Sequence, residues 1–243
     1  MMKEFDNAIV VEFPLRGEWI APTSPAKRIP SHGTDLLGQR YAYDFVQFDE
    51  NRKFFDANAL RYYFIGIPLQ KCYCWGKEIF APCEGKIITC EDGIKERNPV
   101  RFISDVFVVL KNAFTYNPKN GIGKYAGNHI IMECGEKIYA FFAHLQNGSV
   151  NVSVGDHIKK GQFLGRVGHS GNSTAPHLHF HLMDSPDLLT AKGIPCAFEK
   201  FEVFRNGVWE TVYAEIPTDK EKIKSITGFK WILSAISNNM IAV

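Results

Sequence analysis

Three histidines alternate with apolar residues in His177-Leu178-His179-Phe180-His181, and this period-two pattern constrains the fold more than any other segment. In a β-strand alternate side chains share a face, so the three imidazoles line one side while Leu178 and Phe180 point to the other. Three polar rings in a row are costly to bury unless they have partners. One face of this strand is therefore expected to enter a core and the other to form a polar site. A shared imidazole face suits a metal ion; the bland alternative is a solvated polar face without a ligand.

The same β-like character recurs at 8–13, 41–48, 78–81, 85–89, 102–111, 129–134, 137–145, 162–167 and 177–182. These runs are rich in Val, Ile, Phe and Tyr and are separated by Gly, Pro, Asn and Asp, which is the strand-and-turn pattern of a mainly β protein. Residues 133–137 read as a tight hairpin and 159–162 as a further turn. Helix signals are sparser: a short helix at 54–63, a turn at 185–190, and a helical piece at 219–225 introduced by Pro217-Thr218. Two stretches, 47–77 and 91–127, are longer than ordinary connections, and long loops commonly wall a functional site. A chain of 243 residues can bury one sizeable core. We read it as one domain, 1–243, with a core at about 28–185 and a packed extension at about 198–243. The extension carries Phe201, Phe204, Trp209, Tyr213, Phe229 and Trp231.

A formal net charge of +2, from 28 basic and 26 acidic residues, gives no broad electrostatic footprint for nucleic acid or an anionic membrane. No apolar run approaches the roughly 18 residues of a spanning helix. The segment Met1-Met2-Lys3-Glu4-Phe5-Asp6-Asn7 places acids where a secretion signal has its basic region, so a cytoplasmic location is expected. In that setting the six cysteines are expected to be reduced thiols. Cys72 and Cys74 would share a strand face, and buried free thiols are the preferred reading over a metal pair.

A catalytic zinc site uses three protein ligands and leaves a fourth position open. A partner for the histidine strand is offered by Ser31-His32-Gly33-Thr34-Asp35, followed by Tyr41-Ala42-Tyr43-Asp44-Phe45. Spacing alone does not choose between Asp35 and Asp44 as the acidic companion of His32. His144 closes the apolar run Tyr139-Ala140-Phe141-Phe142-Ala143, either as a strand end meeting solvent or as a catalytic base at a cleft rim. His129, His157 and His169 read as surface or turn residues.

These pieces, in this order, resemble the lysostaphin-like zinc metallopeptidases, which cleave peptidoglycan peptides. That family has a His and Asp ligand pair, a strand ending Ala-His-Leu, and a His-x-His strand. Here His32 with Asp44, Ala143-His144-Leu145 and His177-Leu178-His179 stand in those places. Connecting segments match as well: Ile79-Phe80-Ala81-Pro82-Cys83-Glu84-Gly85-Lys86-Ile87, Val154-Gly155-Asp156-His157-Ile158 with Lys160-Gly161-Gln162, and Gly168-His169-Ser170-Gly171-Asn172-Ser173-Thr174-Ala175-Pro176. The resemblance implies a single antiparallel sheet or sandwich-like catalytic core, long loops and a short α/β C-terminal extension.

It implies also that His32, Asp44 and His179 hold Zn2+, and that His144 and His177 sit beside the open position as catalytic residues. The family's His and Asp stand four residues apart, whereas position 36 here is Leu. Asp44 is preferred to Asp35 for the strand character around it. His181, where the family often has an acid, becomes a neighbour of the site. The implied activity is a zinc-dependent endopeptidase acting on peptidoglycan peptides or a Gly-containing peptide. Two rivals stand beside it: a non-catalytic binding or regulatory module of the same fold, and a zinc amidohydrolase acting on an intracellular peptide.

Overall fold

The strand rhythm is realised as a broad sheet in the computed structural model, which describes residues 5–115 and 121–226. Its first half supplies β1 (Ile9–Val11), β2 (Glu18–Thr23), β3 (Tyr43–Val46), β4 (Glu78–Phe80) and β5 (Gly85–Glu91). Then follow β6 (Asn128–Gly135), β7 (Ile138–Leu145), β8 (His157–Ile158), β9 (Phe163–Arg166) and β10 (Leu178–Met183). The chain closes with β11 (Gly193–Ile194), β12 (Cys196–Arg205), β13 (Val208–Glu215) and β14 (Lys222–Ser225). Three helices, α1 (Ala59–Phe64), α2 (Phe102–Phe114) and α3 (Gly123–Ala126), lie in the two long connections.

Ten strands run in the order β1-β12-β14-β2-β3-β10-β7-β6-β5-β8, with β11 added beside β10 and β13 beside β12. Only β1 and β12 pair parallel among the described strands; the others pair antiparallel. The hairpin expected at 133–137 joins β6 to β7, and Lys137 takes a left-handed φ of 54° to close it. β10 lies at the middle of the sheet, with His179 opposite Asp44 on one side and Ala143 on the other.

β10 is buried along its whole length. Leu178, Phe180 and Leu182 enter the main core with Tyr43, Phe45 and Phe142, whose ring centroid is 5.2 Å from that of Phe180. Burying each such side chain stabilises the fold by about 1.5–3 kcal/mol. Ile79 of β4 and Leu164 of β9 close this core from beyond the sheet, giving the sandwich-like layer. The opposite face of β10 is the imidazole face, ending at Met183 in a smaller cluster with Phe141 and Ala143.

Several expectations need correction. Residues 102–111 are not a strand but most of α2. Asp105 and Asn112, seven residues apart, fall on one stripe of a helix and on opposite faces of a strand; both are buried against polar partners, and that tertiary requirement overrides the β-propensity of the surrounding Val, Ile and Phe. Residues 219–225 are a turn leading into β14, because Ile223 alternates with lysines and is fully buried between β12 and β2. The described part of the extension is therefore strands, not α/β. Phe198 and Phe201 anchor it in the core while Tyr213 is exposed; Phe229 and Trp231 lie outside the described residues.

The helix expected at 54–63 starts later, at the Asn58 cap whose side chain accepts from the Leu60 N–H; Phe55 instead bridges to Cys72. Cys83 and Cys134 form a disulfide, since the β5–β6 pairing brings their Cα atoms to 6.0 Å. Cys72, Cys74, Cys90 and Cys196 are free. Cys72 and Cys74 enter different cores, and burial pushes both thiols up to about 12, which suits packing and not metal binding. No helix among the described residues is long and apolar enough to cross a membrane.

Candidate metal centre

The register of three neighbouring strands assembles the site. β10 presents His177 just before its start, then His179 and His181, to one face; β3 brings Asp44 directly opposite His179. Asp44 Oδ1 lies 3.1 Å from His179 Nδ1 and 3.4 Å from His177 Nε2, and its Oδ2 lies 3.0 Å from His32 Nε2. His32, Asp44 and His179 each offer a ligand atom, and these atoms lie within 4.8 Å of one another.

His32 reaches the site from a tight turn, in which the Ser31 N–H donates to the Arg40 carbonyl and the Gly33 N–H to the Pro30 carbonyl. The chain between His32 and Asp44 folds over β10 as two short turns, 36–41, kinked where Leu37 and Gly38 take left-handed φ of 59° and 71°. Gly38 has φ 71° there, and a Cβ on it would come within 3.0 Å of Met183. That close approach lets two groups twelve positions apart in the chain meet in space. Asp35 is on the outside of the loop, exposed and paired with Arg40 at 2.9 Å.

His144 arrives by a different device. Strand alternation would send it to the same side as Phe142, into the apolar core. β7 instead has an extra residue between Phe142 and Leu145 relative to β6, and His144 takes a φ of 63°. A bulge of this kind re-aims a side chain, and here it brings the His144 ring to 4.7 Å from that of His177. His144 Nδ1 donates to the Ser170 carbonyl at 2.9 Å, and His177 Nδ1 to the Ala175 carbonyl at 2.7 Å. A carbonyl only accepts, so both rings carry a proton on Nδ1; this leaves Nε2 of neutral His144 as an acceptor, whereas Nε2 of His177 faces the Asp44 carboxylate.

The loop that supplies these carbonyls is held by backbone contact and by a buried polar chain. A Cβ on Gly171, whose φ is 68°, would strike the Gly127 nitrogen at 2.3 Å, so the loop lies directly against the start of β6. Arg97 donates to the carbonyls of Gly171 and Ser173 and, through Nε, to Asp105 at 2.6 Å. His169 Nδ1 lies 3.1 Å from Ser173 Oγ, and its Nε2 lies 3.6 Å from Asp105.

His169 is thus fully buried behind His177, not a surface residue. His129 is fully buried too, with Nδ1 2.8 Å from the Gly127 carbonyl; both corrections arise because Gly-rich flanks were read as solvent-exposed turns when they mark close backbone approach. His157 is exposed, as expected. Arg97 and Asp105 were absent from the sequence reading, and nothing in their spacing connects them to the histidines.

Burial alone would raise the Asp44 carboxyl, but the charges of His32 and His177, with hydrogen bonds from His177 and His179, hold it well below the usual carboxylate range. Burial pushes the His144, His179 and His181 imidazoles down, and neighbouring imidazoles push His144 and His181 further. His177 is raised against the effect of burial by the Asp44 charge. Neutral imidazoles and an ionised carboxylate are the forms that bind metal. Two nitrogen donors and one oxygen donor on one polar face make a donor set of the catalytic kind, with a position left over. His181 Nδ1 is 3.1 Å from His179 Nε2, beside the set.

A cavity of about 440 Å³ opens over these groups. Its far wall is Val109 of α2 with Ile122, Tyr125 and Ala126 in and beside α3, so the long connection at 91–127 shapes the site. The connection at 47–77 does not line it; Phe55, Tyr62, Ile67 and Leu69 pack with Val100 into a separate small core that supports α2 from behind.

At the centre of a broad sheet, a His-Asp-His cluster able to hold a metal ion thus faces one cavity together with two further imidazoles. Residues 74–189 match the model described as Peptidase family M23, and this match supports a lysostaphin-like peptidase. It is similar to the glycyl-glycine endopeptidase ALE-1 of Staphylococcus capitis, 39% identical over 85 residues that cover 35% of this chain and 21% of that protein. It is also similar to the peptidoglycan DD-endopeptidase ShyA of Vibrio cholerae, 34% identical over 59 residues that cover 24% of this chain and 13% of the relative. The matched segments thus span about a fifth or less of these relatives. Among solved structures, the catalytic domain of lysostaphin from Staphylococcus simulans aligns with 54% of this chain and 81% of its own, at 27% identity and a TM-score of 0.30. The family match contains His144, His177 and His179 but neither His32 nor Asp44.

Proposed function

We propose that this chain is a zinc-dependent endopeptidase that hydrolyses peptide bonds in peptidoglycan peptides or another Gly-containing peptide. The observation that carries this reading is the meeting of His32, from outside the family match, with Asp44 and His179 beneath an open cavity whose rim holds His144 and His177. His32, Asp44 and His179 would hold the ion. Bound there, zinc acts as a Lewis acid and lowers the pKa of water towards about 7.

The chain's own groups supply the rest. One of the two rings, His144 or His177, accepts the proton of the attacking water at Nε2 and returns it to the leaving amine; Nε2 of His144, opposite its carbonyl bond at Nδ1, is the one not facing the Asp44 carboxylate. The second ring, once protonated, donates to the developing oxyanion. Asp44 holds His177 in place at one edge while the Ala175 carbonyl holds the other. Val109, Ile122 and Tyr125 give the cavity an apolar wall against which a peptide substrate would lie.

The Cys83–Cys134 disulfide supports an oxidising compartment, where a cell-wall substrate lies, over the cytoplasmic location expected from the N-terminal residues. The test is zinc content by elemental analysis, together with hydrolysis of purified peptidoglycan and of short glycine peptides. One zinc per chain with release of new amino groups supports the reading; metal-free, stable protein inert on both substrates sinks it in favour of a binding module.

A further inference from the structure

α2 is inverted relative to an ordinary surface helix. Its buried stripe carries Asp105 and Asn112, which point inward because Asp105 binds Arg97 and Asn112 Nδ2 donates to Asn172 Oδ1 at 3.0 Å. Its outer face carries Ile103, Phe107 and Leu110, exposed by 58, 66 and 51%. An amphipathic helix normally does the reverse.

α1 extends the same surface. Tyr63 and Phe102 meet with ring centroids 5.3 Å apart, and the Arg101 guanidinium donates to the Ile65 carbonyl, so the two helices form one face. Leu60, Phe64 and Ile65 add exposures of 66, 69 and 60%. An exposed apolar patch of this kind marks an interaction site.

Charge selects the occupant. The formal +2 of the whole chain conceals a local asymmetry. Within 57–66 and 100–115 the exposed charges are Arg61, Arg101 and Lys111, and the one acid, Asp105, is buried. Arg61 and Arg101 bond backbone carbonyls, and none of the three cations pairs with an acid among the described residues. A second copy placed face to face would bring these cations against their own counterparts. Residues 227–243 of this chain carry Lys230 and no Asp or Glu side chain, so they offer no complement. An anionic bilayer offers both partners at once: acyl chains for the apolar side chains and phosphates for the cations.

We propose that the outer face of α1 and α2 docks the protein on an anionic lipid surface, with Phe64, Ile103 and Phe107 entering the acyl boundary and Arg61, Arg101 and Lys111 at the phosphate level. Docking is peripheral. Because Val109 of the same helix lines the catalytic cavity, it places the cleft beside the lipid surface.

The experiment is co-sedimentation of the full chain with vesicles of phosphatidylcholine alone and of phosphatidylcholine mixed with phosphatidylglycerol, at low and high salt. Partitioning into the mixed vesicles is expected, weakened by salt and by pure phosphatidylcholine. Lys111→Gln should weaken it about fivefold, and the double variant Phe64→Ser/Phe107→Ser by more than about tenfold. The circular dichroism melt should stay unchanged, since both phenylalanines are exposed. No partitioning, or partitioning unaffected by the double variant or by lipid charge, overturns the proposal. A photo-crosslinking Phe107→benzoylphenylalanine variant should label lipid; attachment to residues 227–243, to a second copy or to an acidic protein in the presence of mixed vesicles overturns it in favour of that occupant.

Discussion

β10 and α2 solve opposite problems with similar materials. Both interleave polar residues with Leu, Val, Ile or Phe, and both border the same cavity. β10 turns its apolar residues into the main core and its imidazoles to the site, as local geometry dictates. α2 buries Asp105 and Asn112 and leaves Phe102 and Phe107 outside. A strand's two faces follow from its backbone, whereas a helix's orientation follows from which partners lie beneath it. Polar groups bind where hydrogen bonds are available, and the loop at 168–173 offers many.

The contrast breaks first at β10. His179→Ala should empty the metal site, seen as loss of zinc by elemental analysis, and lower hydrolysis by more than about 10³-fold, since ion and imidazole go together. His144→Ala and His177→Ala should each slow turnover by about 10²–10⁴-fold with zinc retained. Full activity in either would remove that residue from the mechanism.

At α2 the effect should be on stability. Asp105→Ala leaves the Arg97 guanidinium without its carboxylate and should cost about 3–5 kcal/mol in denaturant unfolding, as for breaking a buried pair. An unchanged midpoint would show that α2 is held by something other than its polar stripe. Burial raises the Asp105 carboxyl, but the nearby His169 ring and the hydrogen bond from Arg97 outweigh it, leaving the folded-state pKa below the ordinary 3.8. Its stabilising contribution is therefore complete above the unfolded pKa of about 3.9 and is lost as pH falls through the lower folded value. Asp105→Asn should lose less stability than the parent between neutral pH and pH about 3, measured by unfolding midpoints.

The smallest effect sharpens the choice between the two acids. Asp35→Asn should shift stability by less than about 0.5 kcal/mol and leave metal content and turnover unchanged, because its ion pair with Arg40 is exposed. A loss of zinc there would return Asp35 to the ligand set.

Much of the site's membership could be read before the fold was known. The alternation at 177–181 specifies a strand with an imidazole face, and the apolar run through Asp44 specifies a neighbour able to carry an acid to it. His144 was legible through family resemblance. Its aim was not, because alternation points it into the core and a bulge between β6 and β7 turns it out. Arg97, Asp105 and His169 were illegible for a related reason: Asp105 lies 8 positions from Arg97 and 64 from His169, and no local period encodes such a meeting.

The histidine strand at 177–181 is the part of this protein that its sequence determined alone, since side-chain alternation is a property of the extended backbone itself. Whether that strand would find Asp44 or Asp35, whether 102–111 would be strand or helix, and which way its phenylalanines would face were decided by tertiary structure. Each depended on the loop 36–41 folding over β10, and on hydrogen-bond partners that exist only once distant segments have been brought together.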